Sequence, residues 1–148
     1  MTKVQRGRRG YAAPGHTLDL DQALIALFIG AMNANDHVAP DEAARAHHLI
    51  WSTRRFRRKS GETVGKLIDD MQTLLGERDA AAVMDLAARA IPARLRPSAF
   101  AVLADLLLAD GKIDAQERGF LQRIGSAMKI DRETLRRVVE VVLLKNHL

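Results

Sequence analysis

The chain contains no cysteine. Disulfide staples, a thiolate nucleophile and thiolate-bound zinc are therefore excluded, and a reducing, cytoplasmic setting is expected. Aromatic residues are only 4% of the chain. Alternation of Val, Ile, Thr and aromatics between turn signals, the mark of strands, is missing. The longest apolar run, residues 23–32, falls well short of the roughly 20 residues that span a bilayer. It follows a basic N-terminus, but Asp19 and Asp21 directly precede it and a similar run recurs near residue 100. It reads as a core helix rather than a signal peptide. Glycine-rich phosphate loops and the HExxH motif are also missing, and Ser52, Ser60 and Ser126 have no identifiable base. No enzyme is expected.

What remains is rich in Ala and Leu, with 47% hydrophobic and 28% charged residues in 148 positions. One domain with a sizeable core and an all-α fold is the expectation. Gly7, Gly10, Pro14 and Gly15 make residues 1–16 a flexible basic arm, and residues 17–148 form a single helical domain. About seven helices are predicted. The first, capped by Thr17 or Asp19, runs to about Ala34 with Leu20, Leu24, Leu27, Phe28 and Ala31 facing inward. The second starts at Pro40, carries Asp41 and Glu42 in its first turn and ends in the basic run 54–59. The third carries Val64, Leu67, Ile68, Met71 and Leu75 and closes at Gly76. Asp79 caps the fourth, and Pro92 and Pro97 bracket a connector before a fifth capped by Ser98. Asp114 with Glu117 three residues on makes a capping-box pair for the sixth, and Asp131 caps the seventh.

Charge is unevenly placed. The formal net charge is +5, from 23 bases and 18 acids. Lys3, Arg6, Arg8 and Arg9 lie in the arm, which has no acid, and Arg54, Arg55, Arg57, Arg58 and Lys59 form a second cluster around Phe56. Setting these nine bases aside leaves 14 against 18 acids, a body of net −4. The 54–59 cluster reads as a solvated helix end with Phe56 tucked inward, or as a contact for an anionic partner.

A shift of 75 positions lays Ala109-Asp110-Gly111-Lys112-Ile113-Asp114 over Ala34-Asn35-Asp36-His37-Val38-Ala39, with Glu117 over Glu42, Phe100 over Ile25 and Leu103 over Phe28. Residues 20–59 and 98–147 thus read as pseudo-repeats, each a helix, a short polar turn and a second helix. A lone helical hairpin cannot bury its apolar stripe, so two packed together are a natural solution.

The segment Leu106-Leu107-Leu108-Ala109-Asp110-Gly111-Lys112-Ile113-Asp114-Ala115-Gln116-Glu117-Arg118, with Phe120-Leu121 and Asp131 beyond it, resembles the bacterial tellurite-resistance TerB family. The resemblance centres on ADGxIDxxE between two helices. It implies a compact, non-enzymatic helical domain tied to tellurite and other chemical stress, with divalent metal held by acids at the turns. Carried onto this sequence, those acids are Asp110, Asp114 and Glu117. The N-terminal copy departs from the pattern: Asn35 and Ala39 replace acids, and a weaker set of Asp36, Asp41 and Glu42 remains.

The residues themselves leave two readings of the acidic turn open. Helix capping accounts for Asp114 and Glu117. Asp110, placed where a helix ends among unpaired carbonyls, suits a hard cation, Ca²⁺ or Mg²⁺ ahead of Zn²⁺. An EF-hand is excluded, because Lys112 and Leu121 stand where ligands are needed. His47 and His48 are adjacent and cannot pair as helical i, i+4 ligands, and His37 lies in the first turn. The expected function is a binding module with protein partners, a membrane surface being one setting. The alternative is a basic adaptor that uses the arm and the 54–59 run on nucleic acid or an anionic membrane, nucleic acid being less favoured for want of interleaved aromatics.

Overall fold

The computed structural model describes residues 17–34, 47–48, 50–109 and 111–148. They are all-helical, with no strand among them. In chain order the helices are α1 (Leu20–Met32), α2 (Gly61–Glu77), α3 (Ala80–Ala90), a short 3₁₀ turn (Ala93–Leu95), α4 (Arg96–Leu107), α5 (Ala115–Ala127) and α6 (Arg132–Lys145). Residues 47–48 and 50–52 are also helical. The arm, residues 35–46 with Pro40, and Asp110 lie outside the described residues, and with them the turn on which the N-terminal repeat was built.

α1 is the centre of the bundle, packed against α2, α3 and α4. The sequence predicts one inward stripe, yet Ala23 through Ile29 are all buried. A helix apolar around its whole circumference belongs inside the bundle. Its start is fixed by Asp19, not Thr17: the Asp19 carboxylate accepts from Gln22 N–H at 2.8 Å while Gln22 returns a bond to Asp19 N–H at 3.0 Å. Gly30 lets α3 approach closely, since a Cβ there would stand 2.3 Å from Met84 Sδ.

Other predicted ends shift for physical reasons. α2 passes Gly76 to Glu77, and its N-cap is Ser60, whose hydroxyl accepts from Thr63 N–H at 3.1 Å. Asp79 sits at the α3 N-cap but makes no side-chain capping bond. α4 begins at Arg96, two residues before the expected cap Ser98, because Pro97 fits the unpaired first turn of a helix rather than ending a connector. Asp131 caps α6 as expected, accepting from Thr134 N–H at 2.8 Å.

Two side chains stitch distant helix ends together. The Arg96 guanidinium donates to Ile91 O at 2.7 Å and Arg89 O at 3.4 Å, where α3 ends, and to Met128 O at 3.1 Å, where α5 ends. Cations at helix C-termini complement the dipole and satisfy carbonyls that have no partner within the helix. The α5 terminus is a Schellman turn: Ile130 N–H reaches Gly125 O at 3.2 Å and Lys129 N–H reaches Ser126 O at 3.0 Å. Lys129 holds φ 57° there, a left-handed position that usually takes glycine. At the other end of α4, Asn146 Nδ2 donates to Leu108 O and to Asp105 Oδ1, both at 3.1 Å. Lys145 Nζ meets the same Asp105 oxygen at 3.0 Å.

Candidate functional site

The basic run is a turn rather than a helix end. Phe56 N–H and Arg57 N–H both donate to Thr53 O at 3.0 Å, and Lys59 N–H donates to Phe56 O at 2.9 Å. Phe56 is 0% exposed. Its ring meets that of Phe28 edge-on, centroids 6.4 Å apart and planes at 75°. One buried aromatic thus anchors five bases that stay at least partly in water.

Asp21 on α1 holds the turn from the side. Its carboxylate is ion-paired with Arg55, and with Lys59 at 3.1 Å, and its side chain is 18% exposed. Partial burial alone would push this carboxyl up, but the hydrogen bonds and charges of Arg55 and Lys59 outweigh it and hold Asp21 below the usual carboxylate range. Among the described residues Asp21 is the only carboxylate ion-paired to the cluster; Arg54 and Arg58 make no such pair.

Beside this turn lies an open groove of about 820 Å³. Its floor is apolar, with Leu20, Leu24 and Phe28 from α1 facing Leu95, Ala99 and Val102 from the 3₁₀ turn and α4. Its rim is cationic. Arg54, Arg55, Arg58 and Lys59 come from the turn, and Arg94 joins them from the far side of the chain. Arg57 does not line it. Sequence reasoning missed Arg94, because one of two arginines between Pro92 and Pro97 carries no local signal; only the fold, which sets Arg94 and Leu95 on the same groove as Leu20, Leu24 and Phe28, brings it there.

The acidic turn is built differently. Asp114 Oδ1 accepts from Glu117 N–H at 2.7 Å, and Glu117 Oε1 accepts from Asp114 N–H at 3.1 Å, a reciprocal capping box at the start of α5. Glu117 is 9% exposed, and Asp114 is exposed. Each carboxylate gives one oxygen to the cap. Gly111 precedes them at φ 79°, its N–H on Leu108 O at 2.9 Å, and a Cβ there would lie 3.3 Å from Asn146 O. Glycine meets both that dihedral and that clearance without strain.

As donors, Asp114 and Glu117 fit a hard cation, being carboxylates a turn apart on one helix start. Asp110, the third member, and Asp36, Asp41 and Glu42 of the weaker set lie outside the described residues. Among the described residues no three His, Cys, Asp or Glu side chains group as a metal cage. His47 is exposed, its ring tilted against that of Trp51 with centroids 6.0 Å apart, and His48 is exposed. No helix among the described residues is long and apolar enough to cross a membrane.

Comparison with known proteins gives a match to the family model described as tellurite resistance protein TerB, over residues 21–140. No curated protein and no solved structure matches.

Proposed function

This chain belongs to the TerB family, modules associated with tellurite resistance, and we propose that it works as a non-enzymatic binding module whose cationic groove takes an anionic partner. TerB domains are in general non-enzymatic. The observation that carries the reading is convergence: cations from positions 54–59 and from Arg94 meet on one groove, with a single described carboxylate, Asp21, ion-paired to them. Surface bases are usually scattered and solvated; here a buried Phe56 anchors them around an apolar floor.

The test is fluorescence anisotropy of labelled poly-glutamate, an anionic DNA duplex and anionic lipid vesicles at low and physiological salt. At least one of these should bind, weakening with salt. Arg54→Gln, Arg58→Gln and Arg94→Gln together should weaken it by roughly 100-fold, taking about 1 kcal/mol per cation near an anionic surface. If none of the three binds at low ionic strength, the reading is wrong.

A second reading concerns the acidic turn. Asp110, Asp114 and Glu117 are proposed as ligands of a divalent cation, Ca²⁺ or Mg²⁺ before Zn²⁺ because the donors are all oxygen. It is supported by the pairing of Asp114 with Glu117 and by family membership. A bound cation would supply charge neutralisation at the turn, with Asp114 holding the α5 start in place. In calorimetric titration of Ca²⁺ into chelator-treated protein, Asp110→Asn, Asp114→Asn and Glu117→Gln together should abolish the heat of binding. Asp114→Ser, which keeps a cap, should retain fold stability within about 0.5 kcal/mol. A flat titration of the wild-type chain would leave these acids as caps alone.

A further inference from the structure

The groove has two chemistries side by side, and a simple anion would use only one of them. Phosphate or poly-glutamate would meet the arginines and leave the floor wet. Leu20, Leu95 and Val102 are half-buried, so apolar surface remains there to be removed from water. We infer that the partner seated in this groove is an acidic amphipathic helix of another protein, its leucine-type anchors on the Leu20–Leu95–Val102 floor and its carboxylates against Arg54, Arg58 and Arg94. The inference rests on the reading of the groove as an anion-binding surface.

Size agrees with this occupant. A helix about 10 Å across with a 5.4 Å pitch fills roughly 420 Å³ per turn. A groove of about 820 Å³ accepts about two turns, which is the span of an i, i+3, i+4, i+7 anchor set. Charge agrees too. Arg54, Arg58 and Arg94 have no carboxylate partner among the described residues, and a planar guanidinium fork grips a carboxylate through two parallel bonds.

Other occupants fit less well. The chain's own arm carries Lys3, Arg6, Arg8 and Arg9 and no acid, so it bears the same sign as the rim. Single-stranded nucleic acid needs exposed aromatic faces on which to stack, and Phe28 and Phe56 are both buried. A flat bilayer would rest on the arginine rim without reaching the recessed floor.

The probe is a labelled 14-residue peptide with leucines at i, i+3, i+4 and i+7 and glutamates elsewhere. It is compared with a scrambled peptide of equal composition, a lysine-for-glutamate version, poly-glutamate and phosphatidylglycerol vesicles, all against the full chain. The striped acidic peptide should bind at least tenfold tighter than its scramble and than poly-glutamate, and the lysine version should not bind. Leu20→Gln with Val102→Gln, both at half-exposed positions, should erase the tenfold advantage of the striped peptide over its scramble. Equal affinity for striped and scrambled peptides would overturn the helical partner and leave the anionic groove standing. Binding to none of the anionic probes would remove both. Rim-dependent vesicle binding without peptide binding would also overturn the inference, in favour of a membrane.

Discussion

Phe56→Ala is expected to lower the free energy of unfolding by about 3–5 kcal/mol, the range for removing a fully buried aromatic. Chemical denaturation followed by circular dichroism measures it. The ring is 0% exposed, locked edge-on against Phe28, and Phe28 lies on the helix around which the bundle is packed. Its loss opens a cavity beside α1 and releases the one apolar anchor of the basic turn. Phe56→Leu should recover well over half of the loss, because most of the apolar volume returns although the edge-to-face contact does not. Anion binding in Phe56→Ala should fall as well, although no charge has been altered. A loss below about 1 kcal/mol would mean that the turn is held by its ion pairs and that Phe56 is incidental.

Arg96→Met should destabilise by about 2–4 kcal/mol, from the loss of charge-assisted bonds and the carbonyls left without a donor. The aliphatic stem is largely kept in this variant, so the loss reports the donors. Arg96→Lys should recover less than half, since one ammonium cannot reach carbonyls at the ends of both α3 and α5 as the fork does. Thermal melts of the three proteins order as wild type, then Lys, then Met. Equal melting of the Lys variant and the wild type would reduce the clasp to a point charge at a helix end.

Arg96 also shows where sequence reading stops. The capping box of Asp114 with Glu117, the cap at Asp131 and the inward Phe56 were legible, and the first cap was narrowed to Thr17 or Asp19, because each depends on residues within three or four positions or on one apolar side chain among charges. The helical fold and the TerB assignment were legible for the same reason: Ala–Leu periodicity and the ADGxIDxxE turn are local patterns. Arg96 reaches Met128 across 32 positions, and Asn146 reaches Leu108 across 38, so neither leaves a local trace. Burial of α1 on every side depends on three other helices packing around it. The groove was half legible: positions 54–59 stood out as a charge cluster, whereas Arg94 and the apolar floor exist only in three dimensions. Ser98 misled as a cap because Pro97 reads as a breaker, although proline fits a helix start well.

The Asn146 clip joins the last helix to the entry of the acidic turn. Leu108 O, where α4 gives way to that turn, is shared between Gly111 N–H and a side chain at the C-cap of α6. Lifting α6 therefore strips a donor from the turn, and loosening the turn strips an acceptor from α6. By thermodynamic reciprocity, any ligand that prefers the ordered turn tightens the docking of α6 by the same free energy with which α6 docking tightens that ligand. The C-terminal helix is thus tied to the acidic turn through one shared carbonyl, although it contributes none of the carboxylates proposed as ligands there.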